Sequence, residues 1–286
     1  MTDIDFIFIW IEQNLDTRIS IKSLSSIAHC SSRHLSTVFR KVTGLSPAEY
    51  IRRRRLTQAS FLLRHTERSI TEIALMYGYE YPQTFTRLFT SFYGQSPRSY
   101  RNADSWDMRF FCPSAIVKDI VCSPEQKYLK KINLTILRKN IYKINYGYSL
   151  LLSLAGNIHS TTYNLIHHYT DFIFTNNAYN SFYVYGKTDF KKGYDLIITS
   201  FLGRLKSDDG LSNNTFFITE GNYICFTFVG KPDDLIFNQV WAQGHGLHKY
   251  HCNLMRGPSF SYFEKTSSQD IYRCHYYLPG IIKYNS

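Results

Sequence analysis

The chain has 286 residues, 44% of them hydrophobic and 19% charged, and a net charge of +11. That much apolar material offsets chain entropy and excludes a disordered chain, the length predicts two domains, and the positive field favours a polyanionic partner such as nucleic acid. No apolar stretch is of membrane-spanning length, the longest being 150–155. Asp3 and Asp5 stand where a secretion signal needs basic residues, so a cytoplasmic protein with no membrane partner is expected. The six cysteines form no CxxC pair, which argues against a zinc ribbon or redox motif and for a chain without cofactors. Residues 1–106 hold twelve Arg and two Lys against nine acids, whereas residues 107–286 hold five Arg and fourteen Lys against thirteen. Arginine's planar fork suits phosphates and guanine edges, and lysine is an ordinary surface cation, so the first segment reads as the nucleic-acid side of the molecule.

In chain order, Ser20 caps a helix carrying Ile21, Leu24, Ile27 and Ala28, and Ser31 or Ser32 starts a second with Leu35, Val38 and Phe39 inward. Gly44 predicts a left-handed helix stop, and Ser46 and Pro47 open a helix over Pro47–His65, 19 residues and so about 28 Å long. Ser69 with Glu72 is a capping box for a helix burying Ile70, Ile73 and Ala74, and Gly78 ends it. Pro82 fits the first turn of the next helix, whose inner face is Phe85, Leu88 and Phe89. Phe39, Gly44, Ser46, Pro47 and Tyr50 return fifty residues on as Phe89, Gly94, Ser96, Pro97 and Tyr100. The expected fold is therefore multidomain: an N-terminal all-α part with two helix-turn-helix units joined by a long helix, followed by an α+β part. Such a helix suits two reading helices about one DNA turn, roughly 34 Å, apart.

From Phe6 to Arg101 the residues resemble the MarA/SoxS/Rob branch of the AraC family, notably Trp10 to Leu15, His34-Leu35, Phe39 to Gly44, Tyr50-Ile51-Arg52, Tyr77-Gly78-Tyr79 and Gln83 to Arg87. The resemblance implies a transcription activator that binds double-stranded DNA at asymmetric sites as a monomer and recruits RNA polymerase. It places Gln83, Thr84, Thr86 and Arg87 on the second reading helix. The first would present Ser32, Arg33, Ser36, Thr37 and Arg40, departing from the Trp, Gln and Arg of relatives. Gln pairs with adenine, Arg with guanine, and Thr with a thymine methyl or a phosphate. In the run Arg52 to Arg55, successive residues turn by about 100°, so not all face one side. Arg55 matches a family position that packs or pairs internally, Arg52 and Arg53 are the phosphate candidates, and the remainder is expected in solvent.

Beyond residue 123 the pattern becomes mixed, with a helix expected over 159–174 and strands over 182–185, 195–201, 223–229 and 271–278. Gly221 to Phe228, Arg273 to Pro279 and Val184-Tyr185-Gly186 resemble the GyrI-like domain of Rob-like members of that branch. This implies a duplicated strand-helix-strand-strand unit around a cavity for a small amphipathic ligand, with Tyr223, Phe226, Arg273, His275 and Tyr277 as pocket residues. The final strand of such domains commonly carries a buried glutamate. His275 stands there, so a neutral to positive face favouring anionic or neutral amphipaths is expected. The expected domains are 1–106 for DNA binding, a linker over 107–123 and 124–286 for the effector. His245, His248, His251 and Cys252 have poor spacing for a metal site, since Gly244 and Gly246 disfavour a regular helix, and no catalytic motif stands out. The alternatives are a DNA-tethered enzyme with a GyrI-like hydrolase domain and a nucleoid-like binder without regulation.

Overall fold

The computed structural model of the protein describes residues 3–116, 119–145, 160–175, 179–190, 195–206 and 214–283. The apolar stretch at 150–155, and His159 at the expected start of a helix, lie outside them. Two compact units divide the chain: one takes residues up to Ala103 together with Phe110–Asp119, and the other takes Asp104–Arg109 and the elements after Ile120. Among the described residues no helix is long and apolar enough to cross a membrane.

The first unit is built from α1 (Asp3–Gln13), α2 (Ile21–Ile27), α3 (Ser32–Thr43), α4 (Pro47–His65), α5 (Ile70–Met76), α6 (Pro82–Tyr93) and α7 (Pro97–Asn102). Ser20, Ser31, Ser46, Ser69 and Ser96 each accept the N–H three residues on, satisfying a first-turn donor at about 1 kcal/mol per cap. Gly44 and Gly94 sit at φ of 72° and 71° and donate their N–H to the carbonyls of Arg40 and Thr90, a stop that any Cβ would disfavour. The repeated Phe and Tyr meet edge-on in both copies, Phe39 on Tyr50 at 5.9 Å and Phe89 on Tyr100 at 5.2 Å. Ile21, in the exposed first turn of α2, stays outside this packing.

The arginine run departs from expectation at Arg54, which is buried with 2% of its surface exposed. Its fork donates to both carboxylate oxygens of Glu12 at 2.7 and 2.6 Å, and its third nitrogen reaches the Cys112 carbonyl at 2.5 Å. Tyr50 donates its hydroxyl to the same Glu12 at 3.2 Å. The cause is helix phase: Tyr50, Arg54, Thr57, Gln58 and Phe61 share the buried face of α4, so the charge there must be paired or it would cost several kcal/mol. Arg55 pairs internally, donating to the carbonyls of Leu15 and Thr17 in the turn that follows α1.

The second unit is one sheet: β1 (Ser105–Asp107), β2 (Glu125–Leu129), β3 (Ile132–Asn145), β4 (Ser181–Phe190), β5 (Asp195–Leu205), β6 (Thr215–Ile218), β7 (Gly221–Gly230), β8 (Cys252–Met255), β9 (Phe260–Lys265) and β10 (Tyr272–Ile282). Its helices are α8 (Ser160–Phe174), α9 (Pro232–Trp241) and, past a π turn at Ala242–Gly246, α10 (Leu247–Lys249). The order β3-α8-β4-β5 recurs as β7-α9-β9-β10, and the two sets join where β4 pairs β9 antiparallel. β2 pairs β7 and β6 pairs β3, so each short strand crosses to the other set. Exchange of these strands curls the sheet into a half-barrel whose inner core includes Leu134, Ile218, Tyr223 and Phe260. All six cysteines are free thiols, and burial pushes the Cys252 thiol up to about 12.

Glu12→Ala is expected to cost about 3 to 5 kcal/mol by stranding the Arg54 charge, whereas Glu12→Leu with Arg54→Met together should recover most of it in urea unfolding. His65 packs its ring on Phe61 at 4.3 Å, and burial, followed by neighbouring Arg64, pushes its pKa down to about 3. The unfolded imidazole titrates near 6.5, so folding excludes a proton, and this stability is full above about pH 6.5 and lost as pH falls toward 3. His65→Gln is therefore expected to flatten the acid dependence of the thermal midpoint between about pH 6.5 and 4; an unchanged acid slope would place the titration elsewhere.

Candidate nucleic-acid interface

Each half of the first unit presents a helix after a tight turn: α3 follows α2 through His29, and α6 follows α5 through Gly78, both at positive φ, 48° and 74°. On α3, Ser32, Arg33, Thr37 and Arg40 are exposed and Ser36 is half-buried, all along one stripe. Ser36 and Thr37 donate their hydroxyl hydrogens to the carbonyls of Ser32 and Arg33 at 2.8 and 3.0 Å. Outwardly these two side chains are acceptors, flanked by the donor forks of Arg33 and Arg40. The Ser25 and Ser32 hydroxyls meet at 2.8 Å and tie α2 to the start of α3.

On α6, Gln83 and Arg87 are exposed and lie one turn apart, with Thr84 and Thr86 half-buried beside them. This helix starts without a side-chain cap: Tyr81 holds the cap position, Pro82 the first turn, and Thr84 donates its N–H to the Tyr81 carbonyl at 3.0 Å. Two exposed groups on these faces escape a reading of the sequence alone. Lys41 adjoins Arg40 on the last turn of α3, and Tyr81, 67% exposed, leads into α6. The signal for Tyr81 is Pro82, which forces the preceding residue out of the helix.

Arg52 is exposed and pairs with Glu49, which also accepts from Arg53 Nε at 2.6 Å. Arg53 is half-buried and lays its guanidinium over the Phe92 ring at 5.6 Å. Of the phosphate candidates, Arg52 thus has the freer reach.

In the second unit the five expected pocket residues do not share a face. Tyr276 pairs in register with Phe226, which turns with Cys274 and Tyr276 toward the helices and meets Trp241 at 6.0 Å. Tyr223 and Phe226 are three residues apart on a strand, and alternation puts such residues on opposite sides. Tyr223, Arg273, His275 and Tyr277 remain together on the inner side with Phe260, Tyr262, Tyr183 and Tyr185. His275 Nδ1 lies 3.0 Å from the Thr227 hydroxyl and its Nε2 3.6 Å from Glu264. Glu264 also accepts from the Tyr262 hydroxyl at 3.2 Å and faces Arg273 at 3.9 Å. The expected neutral to positive face is corrected accordingly: the carboxylate missing from β10 is supplied by β9, directly across from Arg273. Burial, then Lys127, holds the His275 imidazole below its ordinary range.

Residues 24–103 match the model of a helix-turn-helix domain. The Transposon Tn10 TetD protein of Escherichia coli is 38% identical over 107 residues, which are 37% of this chain and 78% of TetD. The HTH-type transcriptional activator AarP of Providencia stuartii is 38% identical over 99 residues, 35% of this chain and 73% of AarP. The Right origin-binding protein of Escherichia coli strain K12 is 36% identical over 123 residues, 43% of this chain and 42% of that protein. Of such larger relatives the chain spans less than half the length. With most of TetD and AarP matched by the tandem helix-turn-helix unit described above, the chain belongs to the AraC family of helix-turn-helix regulators, in its MarA/SoxS/Rob branch.

Proposed function

We propose that the protein is a sequence-specific transcription regulator that binds double-stranded DNA as a monomer and activates asymmetric promoter sites by recruiting RNA polymerase. The observation that carries this reading is the recurrence of one capped unit at both ends of α4, each copy turning a polar helix face outward. At 19 residues α4 is about 28 Å long, which with the widths of α3 and α6 suits two successive major grooves. Gln83 can donate to N7 and accept from the amino group of an adenine edge, Arg87 can donate twice to a guanine edge, and Ser36 and Thr37, as acceptors, suit the amino groups of adenine or cytosine. AarP, by its name, is an activator, in line with this reading. A DNA partner agrees with a cytoplasmic protein.

The second unit reads as a GyrI-like effector domain, on the strength of the duplicated strand-helix-strand-strand order and the aromatic inner face. Glu264 and Arg273 offset one another there, so a neutral amphipath loses least on desolvation.

On a site selected from random DNA, Arg87→Ala is expected to cost about 1 to 3 kcal/mol and relax one base position; unchanged affinity and preference would remove α6 as a reader. Arg52→Ala should weaken all sequences alike and lower the salt slope by about one, whereas an unaltered slope would leave Arg52 in solvent. Titrating the full chain with matched neutral, anionic and cationic amphipaths is expected to show tightest binding of the neutral one, weakened by Tyr277→Ala. Tightest binding of the cation would sink that ligand class.

A further inference from the structure

The residues after Phe110 do more than connect. Cys112 donates its N–H to the Thr57 hydroxyl at 3.0 Å and offers its carbonyl to Arg54, and Ala115 donates its N–H to the Tyr50 hydroxyl at 3.1 Å. Tyr50, Arg54 and Thr57 are spaced by four and three residues, so they form one stripe along two turns of α4, and the segment runs antiparallel to it. At one end Tyr50 is part of the first helix-turn-helix core, packed on Phe8 at 5.3 Å and on Phe39 at 5.9 Å. At the other end the Phe110 ring stands edge-on to Phe92 and Tyr93, both at 6.3 Å, in the last turn of α6. Pro113 limits the backbone between these anchors, and Ser114 is buried at 4% exposure.

We propose that residues 110–115 are a strap that clamps the two helix-turn-helix units to one stripe of α4 and so sets the separation and phase of the two reading helices. Each unit docks on α4 through its own aromatic core, which leaves small rotations about the helix axis unopposed by the other unit. A segment held at Tyr50 and at Phe92 couples those rotations. The strap rests on the proposed DNA reading, because its consequence is the spacing of two half-sites. Its amide and carbonyl anchors also make it part of the DNA-binding unit, although it lies beyond Ala103.

The test is a selection of random duplex DNA by the full chain and by a Phe110→Ala, Ala115→Pro variant, which loses the ring contact and the N–H donated to Tyr50. The parent should enrich two half-motifs at a single spacing. The variant should enrich the same half-motifs with the spacing spread by a base pair or more, and bind the parent's best site about tenfold more weakly. Thr57→Val, which removes the acceptor for Cys112 and the hydroxyl beside Tyr93 but leaves Phe110 and Ala115 in place, should give the same spread to a smaller degree and guards against a fold defect in the first variant. Undiminished affinity with one sharp spacing in both variants overturns the strap while leaving the DNA reading intact. A parent that enriches no paired motif overturns the reading itself, and the strap with it.

Discussion

A guanidinium taken out of water tolerates little error in its surroundings, and Arg54 is surrounded on three sides by acceptors. Glu12 takes two of its N–H groups from α1, and Cys112 takes a third from a segment more than fifty residues further along the chain. Removing Glu12 strands the Arg54 charge in a low-dielectric site, and withdrawing the Cys112 carbonyl leaves one of its buried donors unpaired, so α1, α4 and the strap are committed to one arrangement. The same pair sets the rotational phase of α4. With Arg54 inward, a 100° step per residue turns Arg52 outward to Glu49 and the solvent and leaves Arg53 on the flank against Phe92. The four consecutive arginines thus divide into one buried ion, one tie to the turn after α1, one aromatic contact and one exposed cation.

The helical unit was legible in the sequence because its determinants are local. A serine before a helix, a proline in its first turn and a glycine at its left-handed stop act over three or four residues and leave a residue-type signature. Nothing local distinguishes Arg54 from its neighbours, since its partner lies 42 residues away. Periodicity of α4 identifies the buried stripe through Tyr50, Thr57 and Phe61, but an arginine on that stripe invites the opposite reading. The expected pocket residues divide between two faces for a reason already present in the spacing: Tyr223 and Phe226 have opposite strand parity. Glu264 is not legible in the sequence because its relation to Arg273 is a cross-strand register.

The sheet shows the same limit more widely. Among the described residues β3 is the longest strand, yet its alternation slips at the irregularity between Ile136 and Arg138, so the apolar pattern loses its period. β9 begins with Phe260 and Ser261 buried on opposite faces, which masks the period of two. The exchange of β2 and β6 between the two halves is beyond any local signal, because both pairings join strands far apart in the chain or across a set of intervening elements. Both units are duplications, but they are unequally visible. The helical copies need the same capping chemistry at the same places, whereas the strand-helix-strand-strand copies need only apolar or aromatic bulk, which many residues supply.

Duplication followed by divergence also bears on how one chain reads an asymmetric partner. The framework positions of the two helical copies are kept, Gly44 with Gly94 and Tyr50 with Tyr100, while the outward positions at the same fifty-residue offset differ: Arg33 against Gln83, Thr37 against Arg87, Arg40 against Thr90. A symmetric dimer presents the same face twice and is suited to a palindrome. Here two faces with different donor and acceptor sets sit on one chain, with the order of the two fixed by the direction of α4. On the proposed function, such a chain recognises a site with a polarity along the duplex, and polarity is what an activator needs to address a promoter from a defined side.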